Sequence, residues 1–109
     1  MGQFKHISAE ATKAMMTDQD IQLVDIRDEQ AFQSGHISGA KHLDNTTLQD
    51  FLLEADPDRA VIVCCYHGNS SQSAAAFLYE KGFEEVYSLD GGFEHWRNCF
   101  PQDTATSTT

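Results

Sequence analysis

The sequence predicts a single α/β domain of three layers, in which a mostly parallel sheet is flanked by helices. Three observations carry this reading. Short apolar segments alternate with helical patterns along the chain at the spacing of βα units. The run VIVC, Val61 to Cys64, is continuously apolar and largely β-branched, as a strand covered on both faces requires. The length, 109 residues, suits one compact core.

Each element has its own local warrant. Phe4 to Ile7 is a short strand, and Ser8 caps a first helix from Ala9 to about Met16, with Glu10 in its first turn. Gln22 to Ile26 is a second strand. Asp28 caps a helical turn, Glu29 to Ser34, stopped by Gly35. Ala40 to Leu43 is a brief third strand. Asn45, Thr46 and Thr47 start a helix whose apolar face is Leu48, Phe51, Leu52 and Ala55, at i, i+3, i+4 and i+7. Asp56-Pro57-Asp58 is a turn before the central strand. After that strand, Ser70 or Ser71 caps an Ala-rich helix, Gln72 to Lys81, closed by Gly82. Val86 to Leu89 is the last strand. Gly91-Gly92 makes a tight connection to a helix in which Phe93, Trp96 and Phe100 stripe the core face, and Pro101 ends it. The domain therefore spans residues 1–101. Residues 102–109 are Thr-rich, lack large apolar side chains and are expected to fray.

Charge and cysteine usage narrow the function classes. Seventeen acidic against seven basic residues give a net charge of −10, which argues against nucleic acid or an anionic membrane as partner. No apolar run approaches the ~20 residues of a membrane span, and Met1 to Phe4 opens no charged-then-apolar leader. Three cysteines, two of them adjacent, make a poor disulfide framework and fit a reducing cytoplasmic compartment.

The chemistry concentrates where the central strand ends. Cys65 stands at its C-terminal end, followed by the polar loop Tyr66, His67, Gly68, Asn69, Ser70 and Ser71 and then a helix. Open α/β sheets place ligands at that rim, and unpaired N–H groups at a helix start favour an anion there. A thiolate is such an anion, so Cys65 is the candidate nucleophile. Cys64 points the other way in an extended strand and reads as a buried hydrophobe. Cys64, Cys65 and His67 match no standard zinc spacing, so no metal is expected there. Arg27 suits an ion pair with a nearby acid, and His36 a structural hydrogen bond.

Three segments, in order, resemble the rhodanese family: VDIRDEQAFQSGHISGA from Val24 to Ala40, CYHGNSS from Cys65 to Ser71, and LDGGFEHW from Leu89 to Trp96. The resemblance implies a rhodanese-like fold and a double displacement that needs no cofactor. Cys65 would take sulfur from thiosulfate as a persulfide and pass it to cyanide, a small thiol or a thioredoxin-like acceptor. Residues Tyr66 to Ser71 would cradle the sulfur with backbone N–H groups. Gly68 permits the positive φ such a curl requires, and Asn69 tolerates it better than most residues. The loop carries no Lys or Arg, and His67 is its only residue able to become positive, so weak thiosulfate binding is expected.

Two other functions share parts of this pattern. A Cys-based phosphatase or arsenate reductase also sets a cysteine in an anion-binding loop. In the Cys-x5-Arg type an arginine closes that loop, and Ser71 stands at the position. A non-catalytic or protein-partnered sulfur-carrier module would use the same fold, but non-catalytic members usually lack the cysteine that is present here.

Overall fold

The computed structural model describes residues 4–106. The strands are β1 (Lys5–Ile7), β2 (Gln22–Asp25), β3 (His36–Ile37), β4 (Lys41–His42), β5 (Val61–Cys64), β6 (Val86–Leu89) and β7 (Thr104–Ala105). The helices are α1 (Ala9–Asp18), α2 (Glu29–Ser34), α3 (Leu48–Glu54), α4 (Ser70–Glu80) and α5 (Gly92–Cys99). Five strands form one parallel sheet in the order β1-β6-β5-β2-β4. β5 lies at its centre, with Val63 opposite Val24 on one side and Ser88 on the other.

The alternation of side chains along the strands builds two cores. Leu23, Ile62, Cys64 and Leu89 face α1 and α5, where they pack with Ala9, Phe93 and Trp96. Val24, Val61, Val63 and Val86 face the other way, against Phe51 of α3 and Ala75 and Leu78 of α4. Burial on both faces explains why β5 is apolar throughout rather than alternating. This is the predicted three-layer α/β arrangement, and no described helix is long and apolar enough to cross a membrane.

Element ends differ from expectation in instructive places. Ser8 and Asp28 cap α1 and α2 as predicted, accepting from the N–H groups of Ala11 and Ala31 at 3.0 and 2.8 Å. α4, however, starts at Ser70 with Asn69 as its N-cap, so neither Ser70 nor Ser71 caps it. Ser71 is drawn into the first turn instead, with its side chain inward.

The segment after Pro101 also departs from the expected fraying. A 3-10 turn covers Pro101–Asp103, and β7 pairs antiparallel with β3. Asp103 anchors it, its carboxylate bound by Lys13 Nζ at 2.5 Å and its carbonyl by the Trp96 indole N–H at 3.3 Å. These polar bonds hold a stretch that has almost no apolar side chain to bury. The expectation for 107–109 lies outside the described residues.

Candidate active site

β5 ends at Cys64, and the next residue turns its sulfur under the first turn of α4. Gly68 N–H donates to Cys65 Sγ at 3.2 Å and Ser71 N–H at 3.3 Å. The Ser71 hydroxyl lies 3.2 Å from the same sulfur, and the Ser88 hydroxyl lies 2.7 Å behind it. Both serines are fully buried.

This cradle decides the state of the thiol. Burial pushes the Cys65 thiol up, but hydrogen bonds from the Ser71 hydroxyl and from the N–H groups of Ser71, Gly68 and His67 outweigh it. The net result holds Cys65 below the ordinary cysteine value. Cys64 is shifted the opposite way, raised by burial and then by the charge of Asp25. Its thiol donates to the Cys65 carbonyl, at 3.5 Å. The two neighbouring thiols are thus shifted in opposite directions, Cys65 toward the thiolate by its hydrogen bonds and Cys64 away from it by burial.

The loop is braced from two sides. Gly68 has φ +92°, and a Cβ there would stand 2.9 Å from Gly91 N. The Gln72 side chain donates to Gly68 O at 3.0 Å, fixing the curl from within. The N-terminus of α5 approaches from outside: Phe93 N–H donates to Cys65 O at 2.8 Å and Glu94 N–H to Tyr66 O at 3.1 Å. Gly92 makes this approach possible, because a Cβ there would lie 2.5 Å from the Cys65 and Tyr66 carbonyl oxygens.

The loop residues named from sequence therefore divide. His67, Gly68 and Ser71 reach the sulfur by main chain or hydroxyl. Tyr66, His67, Asn69 and Ser70 carry exposed side chains at the rim. Asn69 has φ −94°, so the curl uses positive φ only at Gly68. The Tyr66 hydroxyl turns aside to Asp28 Oδ2 at 2.5 Å.

Arg27 does not reach the sulfur. Its guanidinium pairs with Asp25 at 2.7 Å, donates to Gly35 O at 2.6 Å and lies 4.3 Å from the Phe93 ring centroid. It ties β2 and α2 to the α5 turn that braces the loop. His36 makes a structural contact, its Nδ1 donating to Phe32 O at 2.7 Å while the two rings stack. Ser88 is the residue that sequence reasoning missed. Its one signal is a small hydroxyl in the otherwise apolar pattern of a buried strand.

Comparison with known proteins identifies the family. The family described as rhodanese-like domain matches residues 8–99. The chain is similar to the thiosulfate sulfurtransferase GlpE of Ectopseudomonas mendocina, with 57% identity over 105 residues, 96% of this chain and 95% of that protein. The protein of the same name from Pseudomonas syringae pv. syringae is 55% identical over 104 residues, 95% of this chain and 97% of its own. Among solved structures, the rhodanese-like domain of an Anabaena protein gives a TM-score of 0.81 at 23% identity, covering 93% of this chain and 78% of that one. That last likeness concerns the fold, and the full-length relatives extend it to sequence. With a family match across most of its length and full-length relatives at more than half identity, this chain belongs to the rhodanese family.

Proposed function

We propose that the protein is a thiosulfate sulfurtransferase working by double displacement through a persulfide on Cys65. The observation that carries this reading is the buried Cys65 sulfur held by Gly68 N–H, Ser71 N–H and the Ser71 hydroxyl at the end of β5. In the first half-reaction the thiolate attacks the outer sulfur of thiosulfate. A new S–S bond forms, the old one breaks, and sulfite leaves with its electron pair. In the second, cyanide or the thiolate of an acceptor thiol attacks the outer persulfide sulfur; the persulfide S–S bond breaks and Cys65 leaves with its electron pair as the thiolate. No net oxidation of the protein occurs.

The chain's groups have distinct parts in this cycle. The N–H groups of His67, Gly68 and Ser71 stabilise charge on the sulfur in both anionic states. The two serines form a reversible relay. When Cys65 is a thiol it donates to Ser71 Oγ, and Ser71 donates on to Ser88 Oγ. When it is a thiolate, Ser71 turns to donate to sulfur and accepts from Ser88. The exposed side chains of Tyr66, His67, Asn69 and Ser70 form the rim against which the sulfite oxygens of the donor rest. The cysteines at 64, 65 and 99 are unpaired, consistent with a reducing cytoplasm, and the acceptor there is a small thiol or a thioredoxin-like protein. The net charge of −10 disfavours nucleic acid and anionic membrane.

Intact-protein mass spectrometry tests the mechanism. After incubation with thiosulfate and removal of small molecules, the mass should rise by a single sulfur mapped to Cys65. Cyanide should remove it and release thiocyanate. Cys65→Ser should neither gain sulfur nor turn over, whereas Cys64→Ser and Cys99→Ser should do both. A labelled Cys99, or turnover in Cys65→Ser, would falsify the assignment.

A further inference from the structure

Outside the sulfur site, one other group of side chains among the described residues has the composition of a ligand set. Glu10 in the first turn of α1, and His95 and Cys99 on α5, bring a carboxylate oxygen, an imidazole nitrogen and a sulfur within 4.8 Å of one another. Cys99 Sγ lies 3.3 Å from His95 Nε2 and 4.0 Å from Glu10 Oε2. His95 and Cys99 are four residues apart, so one helix face presents both. Glu10 comes from 89 residues away in sequence and meets them because α1 and α5 pack on the same face of the sheet.

We propose that Glu10, His95 and Cys99 form a zinc site that joins α1 to α5. The donor set suits this ion, since thiolate, imidazole and carboxylate are its three protein ligand types. Bond lengths of 2.0–2.3 Å in a tetrahedron set ligand-to-ligand edges of about 3.3–3.6 Å. The Cys99–His95 edge already has that length, at 3.3 Å. The Glu10 carboxylate, exposed on a flexible stem, lies 4.0 Å from Cys99 Sγ and within 4.8 Å of His95, so a rotamer adjustment closes the site. Among the described residues no Lys or Arg pairs with Glu10: Lys13 is held by Asp103 and Arg97 by Glu94. Water completes the fourth position. Binding releases the Cys99 proton to solvent, so the ion meets a thiolate, a neutral imidazole and a carboxylate.

The site has a structural consequence. α5 is the helix whose first turn holds Cys65 O and Tyr66 O, so an ion fixing α5 to α1 stabilises the brace of the sulfur loop without touching the sulfur. A ligand bound only by the folded state raises its melting temperature.

The test uses the full chain carrying Cys65→Ser, which removes the reactive thiol of the sulfur site. Zinc titration against a chromophoric chelator should show a single equivalent bound. Cobalt(II) should give the visible bands of a tetrahedral site together with a thiolate charge-transfer band. Adding Cys99→Ser should abolish the charge-transfer band. Loss of an outer partner of a metal ligand typically costs 10–100-fold in affinity, so His95→Ala and Glu10→Gln, which remove ligands outright, should each cost at least about tenfold. Zinc should raise Tm in the parent and not in the Cys99→Ser variant, whose fold is checked by circular dichroism. Failure to bind an equivalent of zinc overturns the proposal. So does a charge-transfer band that survives Cys99→Ser, or a zinc-dependent rise in Tm that does.

Discussion

Cys64 and Cys65 are neighbours in sequence, and strand alternation sends their sulfurs into different chemistry. Cys64 faces the α1/α5 core with no described donor aimed at it, while Cys65 faces the start of α4 and collects hydrogen bonds from Ser71, Gly68 and His67. Ser71 supplies two of the four, one from its hydroxyl and one from its N–H, so it should dominate the reactivity of the thiol. Ser71→Ala removes a hydrogen bond to an anion, worth about 1.5 kcal/mol or more, and should lower kcat/KM by about tenfold. Because the thiol then binds its proton more tightly, the pH profile of alkylation by iodoacetamide should move to higher pH. Ser88→Ala should move it the same way by less, since Ser88 acts only through Ser71. An unchanged profile in both variants would remove the relay from the mechanism. Arg27 makes a different residue-scale case. Asp25 is fully buried and ion-paired with Arg27, so Arg27→Ala leaves a carboxylate stranded. Urea denaturation should show a loss of about 3–5 kcal/mol. A cost near zero would mean that solvent reaches Asp25.

At the scale of elements, the loop depends on two glycines for different reasons. Gly68 needs φ +92° to aim its N–H at the sulfur, and Gly92 at φ +59° lets α5 touch the loop backbone. Gly68→Val should lower sulfur transfer by about 100-fold, as expected when a reacting group is displaced by roughly 1 Å, while the domain stays folded. Gly82 is the control, since it has φ +108° with nothing within 4 Å of an added Cβ. Gly82→Ala should lower stability by about 1–3 kcal/mol from backbone strain alone and leave the transfer rate unchanged. If Gly82→Ala and Gly68→Val slow transfer equally, strain rather than loop geometry limits the reaction. The same elements show what the sequence made legible. The strand, glycine-bearing turn and helix around Cys65 are local signals, and so they could be read in order. Ser88 and Gly92 gain their roles by touching residues 17 or more positions away, which no local pattern encodes. The pairing of β3 with β7 was hidden for another reason: polar bonds to Asp103, rather than apolar side chains, hold it in place.

For the molecule as a whole, the unsolved tension is between charge and substrate. Thiosulfate is a dianion, and the protein it approaches carries −10. The groups that welcome it are backbone dipoles and hydroxyls at the end of β5, since the loop carries no Lys or Arg and the nearby Arg27 is neutralised by Asp25. Distance separates the two effects. The molecule measures 33 × 29 × 24 Å, comparable to the Debye length of about 30 Å at 0.01 M salt, so at low ionic strength the incoming anion feels nearly every carboxylate. At about 0.15 M the Debye length is about 8 Å, and the anion at the loop mouth feels mainly the local donors. Raising ionic strength between these limits should therefore increase kcat/KM for thiosulfate. The salt should have an anion too bulky to enter the loop, so that screening is not confused with competition. The second half-reaction with a thiol that bears no other charge should change less, because its attacking thiolate brings one negative charge where thiosulfate brings two. A kcat/KM for thiosulfate that falls as salt is added would show that a local positive charge governs entry instead of the global field.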